Sequence, residues 1–354
     1  MGSLSKWPWE TPPPGLYFNM SFEEYLGIKC LNASGTKDLD ESPASFWISS
    51  WMNQYKKKSP EKPHFKIGKF YHKRILEGRD IFFRDYAPAF EYDPEDKSII
   101  DTIAQIKGEL MLRRQPTTFG NKDEGIARLL KVNPEAKILC KMQEDHYKKW
   151  GKDKIFIEAD HIRFVTYCLN HIEASNDYKG HISGGYPEVT IIWDDPDFGV
   201  RYKIRVDYMK IFPFVDLKTI SNPYGMKPEL AVKKALKSLK YTIQAGLYLK
   251  GMPFARKFAA EGKVYGADGI NPEWIKTFSE AKYDEFWFLF IFTEYPAIQG
   301  ANFSLKDPIS SIALRQIEDA AKLFIKNYEE YGERPWPDIS KPFYIHADEV
   351  ASNF

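Results

Sequence analysis

Cysteine is scarce in this 354-residue chain: Cys30, Cys140 and Cys168 are the three, far apart and without a C-x-x-C pair. That spacing speaks against a disulfide framework and against a cysteine-ligated zinc or iron–sulfur site. Neither sign of charge is in excess, with 50 Lys and Arg against 49 Asp and Glu. A site for a polyanion must therefore come from local clustering, because the net charge supplies no attraction. No apolar run approaches the length of a membrane span. Met1–Glu10 lacks the basic-then-apolar pattern of a secretory signal. A soluble cytoplasmic protein is expected. Internal repeats and low-complexity tracts are also lacking. The chain does have 43% hydrophobic residues, 16% of all residues being aromatic. That is enough to pack one large domain, or one domain with a substantial appendage.

Local signals divide the chain. The Pro-rich stretch Pro8–Pro14 reads as an extended arm. Ser21 followed by Glu24 is a capping box that starts a short helix. A second short helix is expected near Pro43–Gln54, and a third over Gly68–Gly78 (GKFYHKRILEG). Helical patterns at Thr102–Leu112 and Asp123–Leu130 flank an extended, Pro-containing link, and a charged helical region follows to about His171. The texture then changes. Tyr186–Trp193 (YPEVTIIW), Val200–Met209 and Phe214–Ile220 are rich in β-formers and closely joined, which predicts an antiparallel meander. A long amphipathic helix is expected over Pro228–Leu249, with Pro228 in its first turn. Phe286–Thr293 (FWFLFIFT) is a continuous apolar run and reads as a buried strand. A last helix spans about Ile309–Tyr331.

Asp216 and Lys218 in VDLKT are two apart on a strand, so a carboxylate and an ammonium project from one face. The carbonyl of Leu217 between them stays available as a hard oxygen ligand. Asp207 ends the preceding strand, beside Asp216, and Glu188 lies one strand earlier. Three acids on adjacent strands repel one another when empty. A divalent cation relieves that repulsion, and oxygen ligands select Mg²⁺, or Mn²⁺ in its place. The lysine is suited to orienting a water or to stabilising charge that builds on phosphorus. Any one of these residues is equally well explained by a surface ion pair. The ordered set E…D…DxK on successive strands is not.

The helix after the third strand adds to this. Val232, Leu236, Leu239, Ile243 and Leu247 form an apolar stripe at helical spacing. Lys233, Lys237, Lys240, Tyr241, Gln244 and Tyr248 fall on a neighbouring face. From Met226 to Lys263 there are nine basic residues and two acidic ones. Such a face suits a phosphate backbone, and it suits a solvated lysine face as well.

The run GGYPEVTIIWDDPDFGVRYKIRVDYMKIFPFVDLKT, followed by YTIQAGLY, resembles the RecE (exonuclease VIII) type of PD-(D/E)xK nuclease. More distantly it is similar to lambda exonuclease and the RecB nuclease domain. GLYFNMSFEEYL, LNASGTKDLDESPASFW and GKFYHKRILEG are similar to that family's N-terminal helices, in order. The resemblance implies an α/β (α+β) fold: a restriction-endonuclease-like core with a central mixed sheet flanked by helices, preceded by a helical region. It implies metal ligation by His72 of a G-x-x-x-H helix together with Asp207 and Asp216. It also implies Lys218 as the catalytic lysine and Glu188 as the first-strand glutamate that binds or positions a second metal. Tyr241 and Gln244 match a YxxQ helix that approaches the phosphates of the bound strand. The Pro–Asp pair of the family name is missing, since Val206 precedes Asp207 and Val215 precedes Asp216.

The organisation expected is a 1–100 arm and helices contributing His72, a small helical insertion at 101–135, and a nuclease core at 136–354. FGNKDEGIARLL in the insertion resembles half of a SAP-like or helix-extended-helix module, with Gly125 where a leucine is expected. It is equally a helical insertion that packs on the core. The activity expected is a Mg²⁺-dependent exodeoxyribonuclease acting on double-stranded DNA ends, 5′ to 3′. The rivals are a structure- or site-specific endonuclease of the same fold and a non-catalytic DNA-binding recombination protein. The resemblance further implies a ring-shaped homo-oligomer and a single-strand annealing protein as partner.

Overall fold

The computed structural model describes residue 4 and residues 6–56, 63–282, 285–292 and 297–337. Nine strands are described: β1 (Gly15–Tyr17), β2 (Tyr86–Pro88), β3 (Ile155–Ile157), β4 (Tyr186–Asp194), β5 (Arg201–Met209), β6 (Phe214–Ile220), β7 (Val264–Tyr265), β8 (Glu285–Phe292) and β9 (Ile298–Ser304). The helices before the central meander are α1 (Phe22–Gly27), α2 (Ala33–Glu41), α3 (Pro43–Ser49), α4 (Pro63–His72), α5 (Arg79–Asp85), α6 (Ile103–Leu112), α7 (Lys122–Val132), α8 (Leu139–Trp150) and α9 (Ala159–Ala174). Those after it are α10 (Pro228–Ser238), α11 (Tyr241–Ala260), α12 (Pro272–Glu280) and α13 (Pro308–Tyr331).

The chain forms two compact units, one of Met1–His72 with Asn170–Phe354, the other of Lys73–Leu169. The expected 101–135 segment falls inside the second unit. That unit pairs β2 with β3 in parallel. It also packs α6 and α7 around Ile106, Leu110, Ile126 and Leu129, with Phe119 of the extended link against them. The helix–extended–helix arrangement is present, but its arginine is internally used: Arg128 donates to the carbonyls of Pro116 and Thr118 at 2.8 and 2.9 Å. Gly125 sits where a larger residue would not fit, since a Cβ there would lie 2.7 Å from the Phe119 ring.

The first unit is built on a seven-stranded mixed sheet in the order β7-β1-β4-β5-β6-β8-β9. The meander β4–β5–β6 is antiparallel, as its short connections dictate. β6 and β8 are parallel, and α10, α11 and α12 lie in the long crossover that a parallel pair requires. Phe286, Phe288, Phe290 and Phe292 on one face of β8 and Leu289 and Ile291 on the other are all buried, which accounts for the unbroken apolar run in the sequence. Thr293, its expected last residue, lies outside the described residues.

Helix α11 presses closely on the sheet. A Cβ at Gly251 would stand 2.8 Å from Ile204, and one at Gly246 would stand 2.8 Å from Ala313 of α13. Only glycine lets the three layers approach this far.

One local expectation needs correction. The long helix expected over Pro228–Leu249 is two helices, α10 and α11, broken at Leu239 and Lys240. Lys240 has a left-handed φ of 48° and its ammonium is bound by Asp40 and Glu41 of α2 at 2.7 and 2.8 Å. Leu239 is therefore exposed rather than part of an apolar stripe. The break lets α11 enter the core on most of its sides while α10 stays at the surface. The extended Pro8–Pro14 arm is anchored at its start: Trp7 and Trp9 are buried among Trp51, Phe324 and Tyr328, and Trp9 Nε1 donates to Glu333 at 2.6 Å. The capping box of α1 forms as expected, with bonds of 3.1 and 2.7 Å.

Candidate metal centre

The register of the meander brings the acids together. In the β4–β5 ladder, Pro187 pairs with Tyr208 and Val189 with Val206, so Glu188 faces Asp207, but that pair is left out of the ladder. Glu188 has a φ of 57°, a left-handed conformation that costs a non-glycine residue about 1 kcal/mol or more. Strain of this kind in mid-strand persists only where the surroundings enforce it. β5 and β6 pair only at Tyr208–Val215 and Met209–Phe214 and then diverge. The Leu217 N–H, freed from the ladder, donates to Asp207 Oδ2 at 2.8 Å.

His72 arrives from the last turn of α4, where the chain passes into a π-helical turn at Lys73–Glu77. Its Nδ1 lies 3.5 Å from Asp207 Oδ2. His72, Glu188 and Asp207 each offer one ligand atom, all within 4.8 Å of one another. These are spacings one cation can bridge. Their side chains retain 26%, 29% and 14% of their exposure, whereas Asp216 retains 1%. The trio therefore opens to solvent while Asp216 is enclosed.

Asp216 stands outside that trio. Its Oδ1 is met by the Lys218 ammonium, and its Oδ2 accepts from Gln244 Nε2 of α11 at 2.6 Å. The expected four-residue set is thus divided: Glu188 and Asp207 join His72 in a partly exposed ligand group, while the enclosed Asp216 is held beside it by Lys218 and Gln244. Gln244 is buried behind the carboxylate. Tyr241, half-buried, has the Lys218 ammonium 5.5 Å from its ring centroid. Of the three surface lysines expected to share a face, Lys233 and Lys237 lie four apart and exposed on α10, with Lys233 paired to Glu229, while Lys240 at the break is held by α2.

Electrostatics follow from burial and crowding. Burial, with repulsion from Glu188, pushes Asp207 up to about 7 against the pull of Lys218 and the Leu217 N–H. Burial and the charge of Asp207 push Asp216 up to about 6, against Lys218 and His72. Burial would lower Lys218, but Asp216 and Asp207 outweigh it and hold the lysine above its ordinary value. Burial and then Lys218 lower His72, while Asp216, Glu188 and a hydrogen bond to the Leu217 backbone act the other way. A neutral imidazole and carboxylates that resist ionising without a counter-charge fit a divalent cation. One imidazole nitrogen among oxygens suits Mn²⁺ or Mg²⁺ better than a soft metal.

Two residues at this centre carried no motif signal. Arg205, two before Asp207 on β5, pairs with Glu188 and donates to the Met20 carbonyl at 2.8 Å. Period-two spacing from Asp207 was the available clue. Lys37 of α2 has its ammonium 4.6 Å from the Tyr241 ring centroid, and nothing in its own segment pointed there.

No family model matches this chain, and no curated protein matches it. Among solved structures, one described as "Crystal structure of SSO0001" is similar with a TM-score of 0.23 and 12% identity, covering 73% of this chain and 86% of that one. Among the described residues, no helix is long and apolar enough to cross a membrane.

Proposed function

We propose that this protein is a divalent-metal-dependent nuclease that hydrolyses phosphodiester bonds from the ends of double-stranded DNA, built on a PD-(D/E)xK core. The observation that carries this reading is the partly exposed His72–Glu188–Asp207 group set beside the buried Asp216 and the Lys218 ammonium paired with it. A structural ion-pair network has no need of an imidazole and two carboxylates within 4.8 Å of one another. The ordered sequence resemblance to RecE-type nucleases supports DNA ends as substrate, 5′ to 3′ as polarity, a ring of subunits, and a single-strand annealing protein as partner.

Mg²⁺, or Mn²⁺ in its place, would be held by His72, Glu188 and Asp207, with the Asp216 carboxylate and the Leu217 carbonyl next to them. When bound, it supplies Lewis acidity at a phosphate oxygen. The chain's own residues do the rest. His72 is neutral near pH 7 and keeps a lone pair for ligation. Asp216 and Gln244 fix the Lys218 side chain, and the two aspartates keep its ammonium charged. That ammonium stabilises negative charge as it builds on the phosphate, a contribution typically worth roughly 10²–10³ in rate.

The test offers end-labelled linear duplex and covalently closed circular duplex, each with Mg²⁺ and with EDTA. Loss of the linear substrate alone, and only with Mg²⁺, is expected. Equal cutting of both substrates would mean an endonuclease. Binding without cutting would mean a non-catalytic DNA-binding protein.

A further inference from the structure

Lys37 of α2 is a half-buried cation. Among the described residues, no carboxylate lies within ion-pairing distance of its ammonium, although Asp38 follows it directly in sequence. Asp38 faces away, where Ser49 donates to it. The Lys37 ammonium instead sits over the Tyr241 ring at 4.6 Å from the centroid, and Lys218 approaches the same ring at 5.5 Å. Two ammoniums thus share one aromatic ring, and among the described residues only that of Lys218 is in an ion pair. Burial and then repulsion from Lys218 push Lys37 down to about 8, while Asp216 and Asp38, outside ion-pairing distance, act the other way.

This placement is held from both ends of α2. Asn32 caps the helix, accepting from the Gly35 N–H at 2.8 Å. Gly35, Thr36 and Leu39 are buried. At the other end, Asp40 and Glu41 grip Lys240, the residue immediately before Tyr241. The grip fixes α2 against the start of α11, so the Lys37 position is set by the fold rather than by a flexible side chain reaching outward. A partly desolvated cation beside a second cation is unfavourable until an anion arrives.

We propose that Lys37 is a phosphate-binding residue of this centre, which takes the phosphodiester backbone of the bound strand beside the Tyr241 ring, next to Lys218, whose ammonium serves the chemical step. The proposal rests on the nuclease reading above. Lys218 is occupied by Asp216, so its charge is partly spent. Lys37 supplies the unspent charge, and the Tyr241 ring sets the separation of the two.

The experiment compares wild type, Lys37→Met and Lys37→Arg on linear duplex DNA with Mg²⁺ across a range of salt. Binding is measured in parallel with Ca²⁺ replacing Mg²⁺. Losing one charge-assisted contact to phosphate should lower kcat/KM by roughly tenfold to a hundredfold. It should also reduce the slope of log affinity against log salt by about 0.7–0.9, the value for one phosphate contact. Lys37→Arg should restore both. If Lys37→Met melts well below wild type, Lys37→Gln takes its place in the same comparison. A merely structural role would change stability but leave the salt slope alone. An unchanged slope and rate in Lys37→Met or Lys37→Gln overturns the proposal while the nuclease reading stands. An inactive wild type overturns that reading instead.

Discussion

Replacing Asp207 with asparagine should stabilise the metal-free protein while removing its response to metal. Asp207 holds its proton to about pH 7 in the folded state, against 3.8 for an ordinary aspartate. Between those values the folded state binds more protons than the unfolded one, so stability falls as pH rises through this window. The deficit is complete above the folded value and absent below the unfolded one. At 1.36 kcal/mol per pH unit, keeping this carboxylate charged at pH 8 costs the fold roughly 4 kcal/mol. Asparagine carries no charge, and its Oδ1 can keep the Leu217 N–H bond. Its amide group must also find a partner, which leaves a net gain of about 2 kcal/mol. For a chain of this size that is a rise in Tm of roughly 3 °C. Thermal melts of wild type and Asp207→Asn in EDTA at pH 8 and pH 4 check this. The variant should melt higher at pH 8 and, with the charge cost nearly gone, at or below wild type at pH 4. Added Mn²⁺ should raise the wild-type Tm and leave the variant unmoved. A variant that melts at or below wild type at pH 8 would refute the argument that the empty site stores repulsion.

Two further outcomes are expected. His72→Ala and Glu188→Gln should each weaken Mn²⁺ binding by calorimetry, because each removes one of the three ligand atoms grouped within 4.8 Å; His72→Ala binding like wild type would make His72 a plain helix histidine. Lys218→Ala should bind DNA ends in Ca²⁺ nearly as well as wild type yet cut roughly 10²–10³ more slowly in single-turnover assays with Mg²⁺; a loss of affinity with unchanged turnover would reverse the roles given to Lys218 and Lys37.

The sequence by itself determined what repeats over a few residues. Alternation and turn chemistry gave β4, β5 and β6 and their antiparallel order. The same period put Asp216 and Lys218 on one strand face, where they meet. The capping box gave α1, and the unbroken run around Phe288 gave the buried β8. These are local effects, decided by backbone geometry and by which side chains avoid water.

Contacts between segments distant in the chain were decided only by the tertiary structure. The skipped Glu188–Asp207 pair depends on how β4 and β5 distort together, and no single-strand pattern reports a φ of 57° at Glu188. Asp216 looked equivalent to Asp207 in the sequence. Packing of α11 separates them by giving Asp216 to Gln244 and Lys218 and leaving Asp207 open. Lysine spacing suggested one continuous basic face, but the grip of Asp40 and Glu41 on Lys240 ends α10 and turns the chain into α11. That same grip carries Lys37 to the Tyr241 ring. A lysine in the middle of α2 has no local feature that marks it, because its neighbour at the site lies some two hundred residues away and is brought near only when α2 docks on α11.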